Sequence, residues 1–292
     1  MTILQITWEA SPVIFSLGPL SVRWYGLFWA LSFYLGYEIV SRIFKKENVG
    51  QQEIDSLLIH IALGSVIGAR LGHCFFYDFD YYISNPIEIL FIWQGGLASH
   101  GGAFGIIIAV FRYYRKVSSK PFLWTADRLL IVIALGAMFI RLGNLMNHEI
   151  YGYVTDQPWG FKFIQNINQW MQGAEPVFTP PVHPTAIYEG AGYLFIFLSM
   201  MWLYFRQINR LFEGFMTGYF LITLFVWRFV VEYWKEPQES MTGGFVYDVM
   251  GFFGINMGQL LSVPMILLGI AVLVYSFKSR RPAIENAASG KK

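Results

Sequence analysis

The sequence predicts an all-α, polytopic membrane protein of about seven transmembrane helices, with its N-terminus outside, its C-terminus cytoplasmic and a small external cap between the fourth and fifth spans. Three observations carry that reading. Hydrophobic residues fill 55% of the 292 positions and charged residues only 14%, a balance outside the usual soluble range. Apolar stretches approaching the ~20 residues that cross roughly 30 Å of hydrocarbon recur along the chain. Basic residues, finally, cluster in alternate connecting segments, as cytoplasmic loops require. The net charge of +2 says nothing about acidic partners, because the sidedness of the basic residues matters more than their sum, and no nucleic-acid partner is expected.

The spans run approximately over 24–43, 56–77, 97–110, 124–140, 186–205, 215–234 and 258–277, the third being the shortest and entered through a Gly-rich segment. Arg42, Lys45 and Lys46 follow the first span; Arg112, Arg115, Lys116 and Lys120 follow the third; Arg206 and Arg210 follow the fifth; Lys278, Arg280, Arg281, Lys291 and Lys292 follow the seventh. The intervening segments hold only Lys162 and Lys235, which places the N-terminus outside. No basic n-region precedes the first apolar stretch, so that stretch is expected to stay in the mature protein. The long external piece, about 144–184, is rich in Pro, Gly and Trp and suits a cap or lid. Residues 1–278 are expected to form one transmembrane domain and 279–292 a disordered cytoplasmic tail.

One cysteine, Cys74, excludes an intramolecular disulfide framework, and the five histidines show no ligand spacing. Neither a metal nor another cofactor is expected. Gly64, Gly68 and Gly72 repeat every four residues on one helical face, which suits close helix packing; Arg70 lies off that stripe and needs its own partner. Arg128, with Asp127 beside it, is expected to snorkel at the cytoplasmic start of the fourth span.

Arg23, Arg141 and Arg228 fall toward the outer halves of their spans, where the topology rule gives no reason for them, and three like charges near one leaflet suggest an anion between them. His100 stands between glycine pairs in "QGGLASHGGAFG", either as a helix cap or beside a ligand approaching exposed backbone N–H groups. Arg228 and Glu232 share a helix face, with Lys235 one turn on, so a structural ion pair competes with a functional role. In "FIRLGNLMNHEIYG", Arg141, Asn144 and His148 follow helical spacing, with Asn147 and Glu149 alongside and a break at Gly152. An Arg141–Glu149 pair at the helix end is one reading. Convergence of these donors on a phosphate headgroup is the other, and the better fit.

"HGG" at 100–102, "RLGNLMNHEIYG" at 141–152, "HPTAIYE" at 183–189 and "WRFVVEYWKEP" at 227–237, with "RWYGLFW" at 23–29 and "GQLLSVPM" at 258–265, together resemble the bacterial prolipoprotein diacylglyceryl transferases, in the right order from about residue 12 to 265. The resemblance implies an enzyme of the bacterial cytoplasmic (inner) membrane that moves the diacylglyceryl group of phosphatidylglycerol onto the lipobox cysteine thiol of a preprolipoprotein. A thioether forms and glycerol 1-phosphate is released, with the active site facing the outer leaflet; the protein is expected to act as a monomer. Matched position by position, Arg141 and Arg228 are its two important arginines. His100, Tyr25, Asn144, Glu149, Gly152 and Glu232 match positions at or near its site. Two departures stand out: His148 replaces a frequent glycine and is expected to tighten the mouth of the site, and Lys235 replaces an arginine found in some members.

The chemistry so implied needs a thiolate, a carbon electrophile and a stabilised phosphate leaving group. Arg141 and Arg228 suit the last of these, in a poorly hydrated site where charge contacts count most. His100 is the candidate acceptor of the thiol proton, as imidazole titrates near neutral pH, although a thiol of pKa about 8.5 needs little help to ionise. Tyr25, Asn144 and Glu149 suit orientation of the glycerol hydroxyls or of the second arginine. A carrier or scramblase of anionic lipid would use the same arginines without reacting, but such folds often show paired halves, and no internal repeat is present.

Overall fold

The computed structural model of the chain describes residues 5–18, 20–92, 95–236, 247–248 and 254–283. Helices dominate: α1 Trp24–Lys46, α2 Gln51–Phe76, α3 Phe79–Ser84, α4 Ser99–Lys116, α5 Phe122–Met146, α6 Ile167–Trp170, α7 Thr185–Gln207, α8 Phe215–Val231 and α9 Met257–Ser279. Strands are short: β1 Ile6–Thr7, β2 Val13–Leu17, β3 Leu20–Arg23, β4 Phe161–Lys162, β5 Tyr247–Asp248 and β6 Gly254–Ile255. Among the described residues α2, α5, α7 with its 3₁₀ extension to Arg210, and α9 are each long and apolar enough to cross a bilayer, and α8 is a shorter apolar helix. The architecture is that of a polytopic helical membrane protein. Exposed apolar residues repeat at helical spacing, as with Leu63, Ile67 and Leu71 on α2 or Leu194, Leu198 and Trp202 on α7, the pattern expected where the surrounding solvent is lipid.

The chain divides into two compact units, Tyr37–Thr125 and Met1–Gly36 with Ala126–Lys292. In the first, the glycine stripe of α2 meets a matching stripe on α4. A Cβ at Gly68 would run into the Gly101 carbonyl and come within 2.7 Å of Gly105 Cα, so the two backbones are in contact where side chains would hold them apart. Gly68→Val is therefore expected to lower stability by at least ~1–3 kcal/mol, read as a fall in the thermal unfolding midpoint in detergent; an unchanged midpoint would refute this packing. Arg70 finds its partners locally. Its Nη2, Nε and Nη1 donate to the carbonyls of Glu88 (2.6 Å), Ile89 (2.9 Å) and Gly95 (2.7 Å), which fastens the segment after α3 to α2.

In the second unit β2 and β3 form an antiparallel hairpin that delivers Arg23 to the start of α1. The external piece builds a cap: β4 pairs in parallel with β1, and Phe161, Phe163 and Val182 bury against Leu145 and Ala186, with Trp8 and Tyr151 packed alongside. Arg128 does not snorkel, for it and Asp127 are fully buried. Asp127 accepts from Gly214 N, Thr217 N and Thr217 Oγ1 at 2.7–2.8 Å and so caps the N-terminus of α8, while Arg128 Nη2 donates to the Ala283 carbonyl at 2.8 Å. Residues 279–283, which fall in the expected tail, are packed against the rest of the second unit. α9 continues to Ser279, and Arg281 and Ala283 bond back to Glu213 and Leu211; residues 284–292 lie outside the described residues.

Candidate active site

Arg141 sits in the closing turns of α5, where the apolar run gives way to polar residues. Its Nε meets Glu189 Oε2 at 2.6 Å as an ion pair, and its Nη1 donates to Asn144 Oδ1 at 3.0 Å, the bond that their three-residue spacing allows. Asn144 Nδ2 donates onward to Glu149 Oε1 at 2.9 Å, and Asn147 Nδ2 reaches the same oxygen at 3.1 Å. The direct Arg141–Glu149 pair, the lesser of the two readings of this stretch, does not form; Asn144 stands between them, and the carboxylate against the guanidinium comes from α7.

Glu189 is fully buried and bridges two cations, for its Oε1 lies 3.5 Å from Lys235 Nζ. Lys235 also approaches Glu232 Oε1 at 3.7 Å, and Arg228 Nη2 meets that oxygen at 3.7 Å. Asn256, the N-cap of α9, donates its Nδ2 to Glu232 Oε2 at 3.2 Å and so fixes this carboxylate from the other side. The result is an alternating chain, Arg141–Glu189–Lys235–Glu232–Arg228, with three cations to two carboxylates. The ion pair expected between Arg228 and Glu232 is therefore present, as one link of a larger network. Tyr193, one turn beyond Glu189 on α7 and nearly buried, lies within electrostatic reach of both arginines. Burial pushes the Lys235 ammonium below its ordinary pKa, against the pull of Glu189 and Glu232.

Tyr25 enters from α1. Its ring lies over Gly143, where a Cβ would come within 2.6 Å of Cδ2, and its hydroxyl feels the charges of Glu149 and Arg141. Gly152 is a joint: its N–H donates to the His183 carbonyl at 2.8 Å, and a Cβ there would run into the Trp234 carbonyl. Through this contact the cap is tied to the end of α8, and Lys235, bridged to Gly152, is held beside Glu189. His100 belongs to the other compact unit, near the N-terminus of α4, with its ring 5.7 Å from those of Phe76 and Tyr77.

His148 does not line a mouth. It adopts a left-handed backbone (φ 57°) just past α5, accepts the Ile164 N–H on Nδ1 at 3.1 Å and so must donate from Nε2 to the Ala10 carbonyl at 2.8 Å. It thereby fastens the cap to the N-terminal segment as a neutral imidazole, and burial lowers its pKa although the Ala10 carbonyl favours the proton. A lowered folded-state pKa means that the unfolded chain takes up the proton first, so this contribution to stability is intact above the ordinary histidine value and is lost as pH falls below it. The protection factor of the Ile164 amide, its exchange rate taken relative to the unfolded chain at the same pH, is expected to fall between about pH 7 and pH 5, and to lose that fall in His148→Gln.

Glu189, Tyr193 and Lys235 complete the site. Glu189 carried one legible signal, a carboxylate inside an otherwise apolar span, and such a group marks a functional position by default. A sequence profile described as prolipoprotein diacylglyceryl transferase matches residues 12–275. The phosphatidylglycerol–prolipoprotein diacylglyceryl transferase of Tolumonas auensis is 42% identical, covering 94% of this chain and 99% of its own length. Those of Porphyromonas gingivalis and Bacteroides fragilis are 42% and 36% identical over 94% and 95% of this chain. The match takes in every residue of the charged network, from Arg141 to Lys235, and the chain belongs to the prolipoprotein diacylglyceryl transferase family.

Proposed function

We propose that this protein transfers the diacylglyceryl group of phosphatidylglycerol to the lipobox cysteine of a preprolipoprotein, the first step of lipoprotein maturation. The thiolate sulfur attacks the glyceryl carbon that bears the phosphate; the S–C thioether bond forms, the C–O bond breaks, and its electron pair leaves with glycerol 1-phosphate. The observation that carries the reading is the network of three cations on two carboxylates, whose uncompensated positive charge suits a phosphate in a poorly hydrated site. In this reading Arg141 and Arg228 bind the phosphate and take up its charge as the bond breaks. Asn144 and Glu149 orient the headgroup together with Tyr25, Glu232 positions Arg228, Gly152 holds the cap in place, and His100 accepts the thiol proton.

The same reading places residues 1–278 as one catalytic domain in the inner membrane. Seven spans, an outer N-terminus, a cytoplasmic tail and a site open to the outer leaflet follow from the alternation of basic loops. The enzyme works as a monomer on two partners, the lipid and the lipobox peptide. Purified protein incubated with phosphatidylglycerol and a lipobox peptide should add a diacylglyceryl mass to the peptide and release one glycerol phosphate per adduct, and a peptide with serine in place of the cysteine should gain nothing. Lipid binding without either product in folded protein would sink the transferase reading in favour of a lipid carrier.

A further inference from the structure

Arg70 lies near the C-terminal end of α2, 3% exposed, and its partners among the described residues are carbonyls and one aromatic ring rather than a carboxylate. Nη1 donates to the Gly96 carbonyl at 3.2 Å as well as to that of Gly95, so with Glu88 and Ile89 four of its five N–H groups grip one segment. The Tyr82 ring lies 4.9 Å from its Cζ. A buried charge without a counter-ion is costly, so a guanidinium given over to carbonyls marks a segment whose geometry matters. Gly95 and Gly96 both take left-handed backbone (φ 94° and 72°), which side chains disfavour and which turns the two carbonyls onto the same nitrogen. A Cβ at Gly96 would come within 2.5 Å of His73 Cδ2 and 2.9 Å of Arg70 Nη1, so the turn is wrapped directly onto these two side chains.

Two routes lead from this clamp to His100. Along the backbone, Ala98 N donates to the Ala69 carbonyl at 2.9 Å, and the Ala98 carbonyl takes the Gly102 N–H at 3.0 Å as α4 opens. The residue before Arg70 thus fixes where the helix that carries His100 begins. Through the side chains, Asp78 Oδ2 holds His73 Nε2 at 3.0 Å, and the His73 ring stacks on Tyr77 with centroids 5.7 Å and planes 17° apart. Tyr77 in turn lies 5.7 Å from the His100 ring. His100 makes no hydrogen bond of its own among the described residues, so its ring is aimed by the backbone that carries it and by the rings it packs on. We propose that Arg70 is a positioning residue for the transfer: by gripping the segment from Glu88 to Gly96 it holds His100 where the imidazole takes the thiol proton, the S–H electron pair staying on sulfur. The inference rests on the reading of His100 as the proton acceptor. Lysine is no substitute, because a point ammonium lacks the planar fork that serves four carbonyls at once.

The test uses the full-length protein in detergent with Arg70→Lys and Gly96→Ala, which strike the clamp from its two sides, and a thermal melt to show that each is folded. If Arg70→Lys does not fold, Gly96→Ala carries the comparison. Diethyl pyrocarbonate, mapped by mass spectrometry, reads the access to His100 without turnover. Each variant should speed carbethoxylation of His100 about tenfold, the scale of one hydrogen bond to a charged group. His148 and His183, in the other compact unit, should keep their wild-type rates. In turnover both variants should lower kcat for adduct formation about tenfold and leave KM for phosphatidylglycerol unchanged. In a His100→Gln background the same changes should lower kcat hardly further, since residues that act through one group are not additive. Wild-type labelling of His100 in both folded variants overturns the proposal. So does an undiminished loss of kcat in the His100→Gln background, which would make Arg70 a support of the fold alone. Wild-type turnover by His100→Gln itself would instead remove His100 as the proton acceptor, and the catalytic consequence with it; the labelling rates would then decide by themselves whether Arg70 holds His100.

Discussion

Arg141→Ala is expected to lower kcat/KM for thioether formation by about 10²–10³-fold, the loss seen when one preorganised donor to a developing anion is removed. Arg141→Lys should recover little of it. The guanidinium serves two partners at once, Glu189 through Nε and Asn144 through Nη1, and still has donors left for a phosphate. A single ammonium has neither the fork nor the reach for that arrangement. Initial rates of adduct formation at varied phosphatidylglycerol, with a thermal melt to show that each variant is folded, decide the matter. Wild-type rates in folded Arg141→Ala would remove the arginine from the chemistry and leave it as the counter-ion of Glu189.

The second large effect is expected at Glu189. This carboxylate is fully buried between Arg141 and Lys235, and Glu189→Gln would leave both cations in place with an amide that can accept from one of them but neutralise neither. Removing one partner of a buried ion pair costs roughly 3–5 kcal/mol, because the remaining charge stays desolvated. The unfolding midpoint of Glu189→Gln in detergent should fall accordingly, and activity should fall with it as Arg141 loses its anchor. Pairing the change with Lys235→Met removes one of the stranded charges. The double variant should therefore be more stable than additivity allows, by the coupling expected between residues in contact. Strict additivity, or a midpoint unmoved by Glu189→Gln, would show that Glu189 does not hold the network.

Much of the site was legible because it is local in the chain. Arg141 and Asn144 are three residues apart on a helix, and Arg228 and Glu232 four apart, so spacing alone placed each pair on one face. What spacing could not supply was the partner arriving from elsewhere. The choice of Glu189 over Glu149 as the counter-ion of Arg141 depends on α7 lying against α5, and Glu149 turns out to be held by two asparagines instead. His148 was misplaced for a related reason. Helical spacing put it with Arg141 and Asn144, but the helix ends at Met146 and the left-handed backbone at His148 turns its ring into the cap. Its place at the start of a span suits Arg128 to snorkelling, but the residue is buried against the carbonyl of Ala283, far along the chain, as Asp127 is against the start of α8.

The sequence by itself determined the membrane class, the stripe of glycines and the polar break at the end of α5. Each of these is set by composition, or by periodicity within a few turns, and hydrocarbon tolerates few alternatives. Only the tertiary structure decided which charge neutralises which. In a low-dielectric interior a charge must be paired wherever the packing of helices brings a partner, and that partner is chosen by which helices touch rather than by distance along the chain. The network from Arg141 to Arg228 is a consequence of that choice.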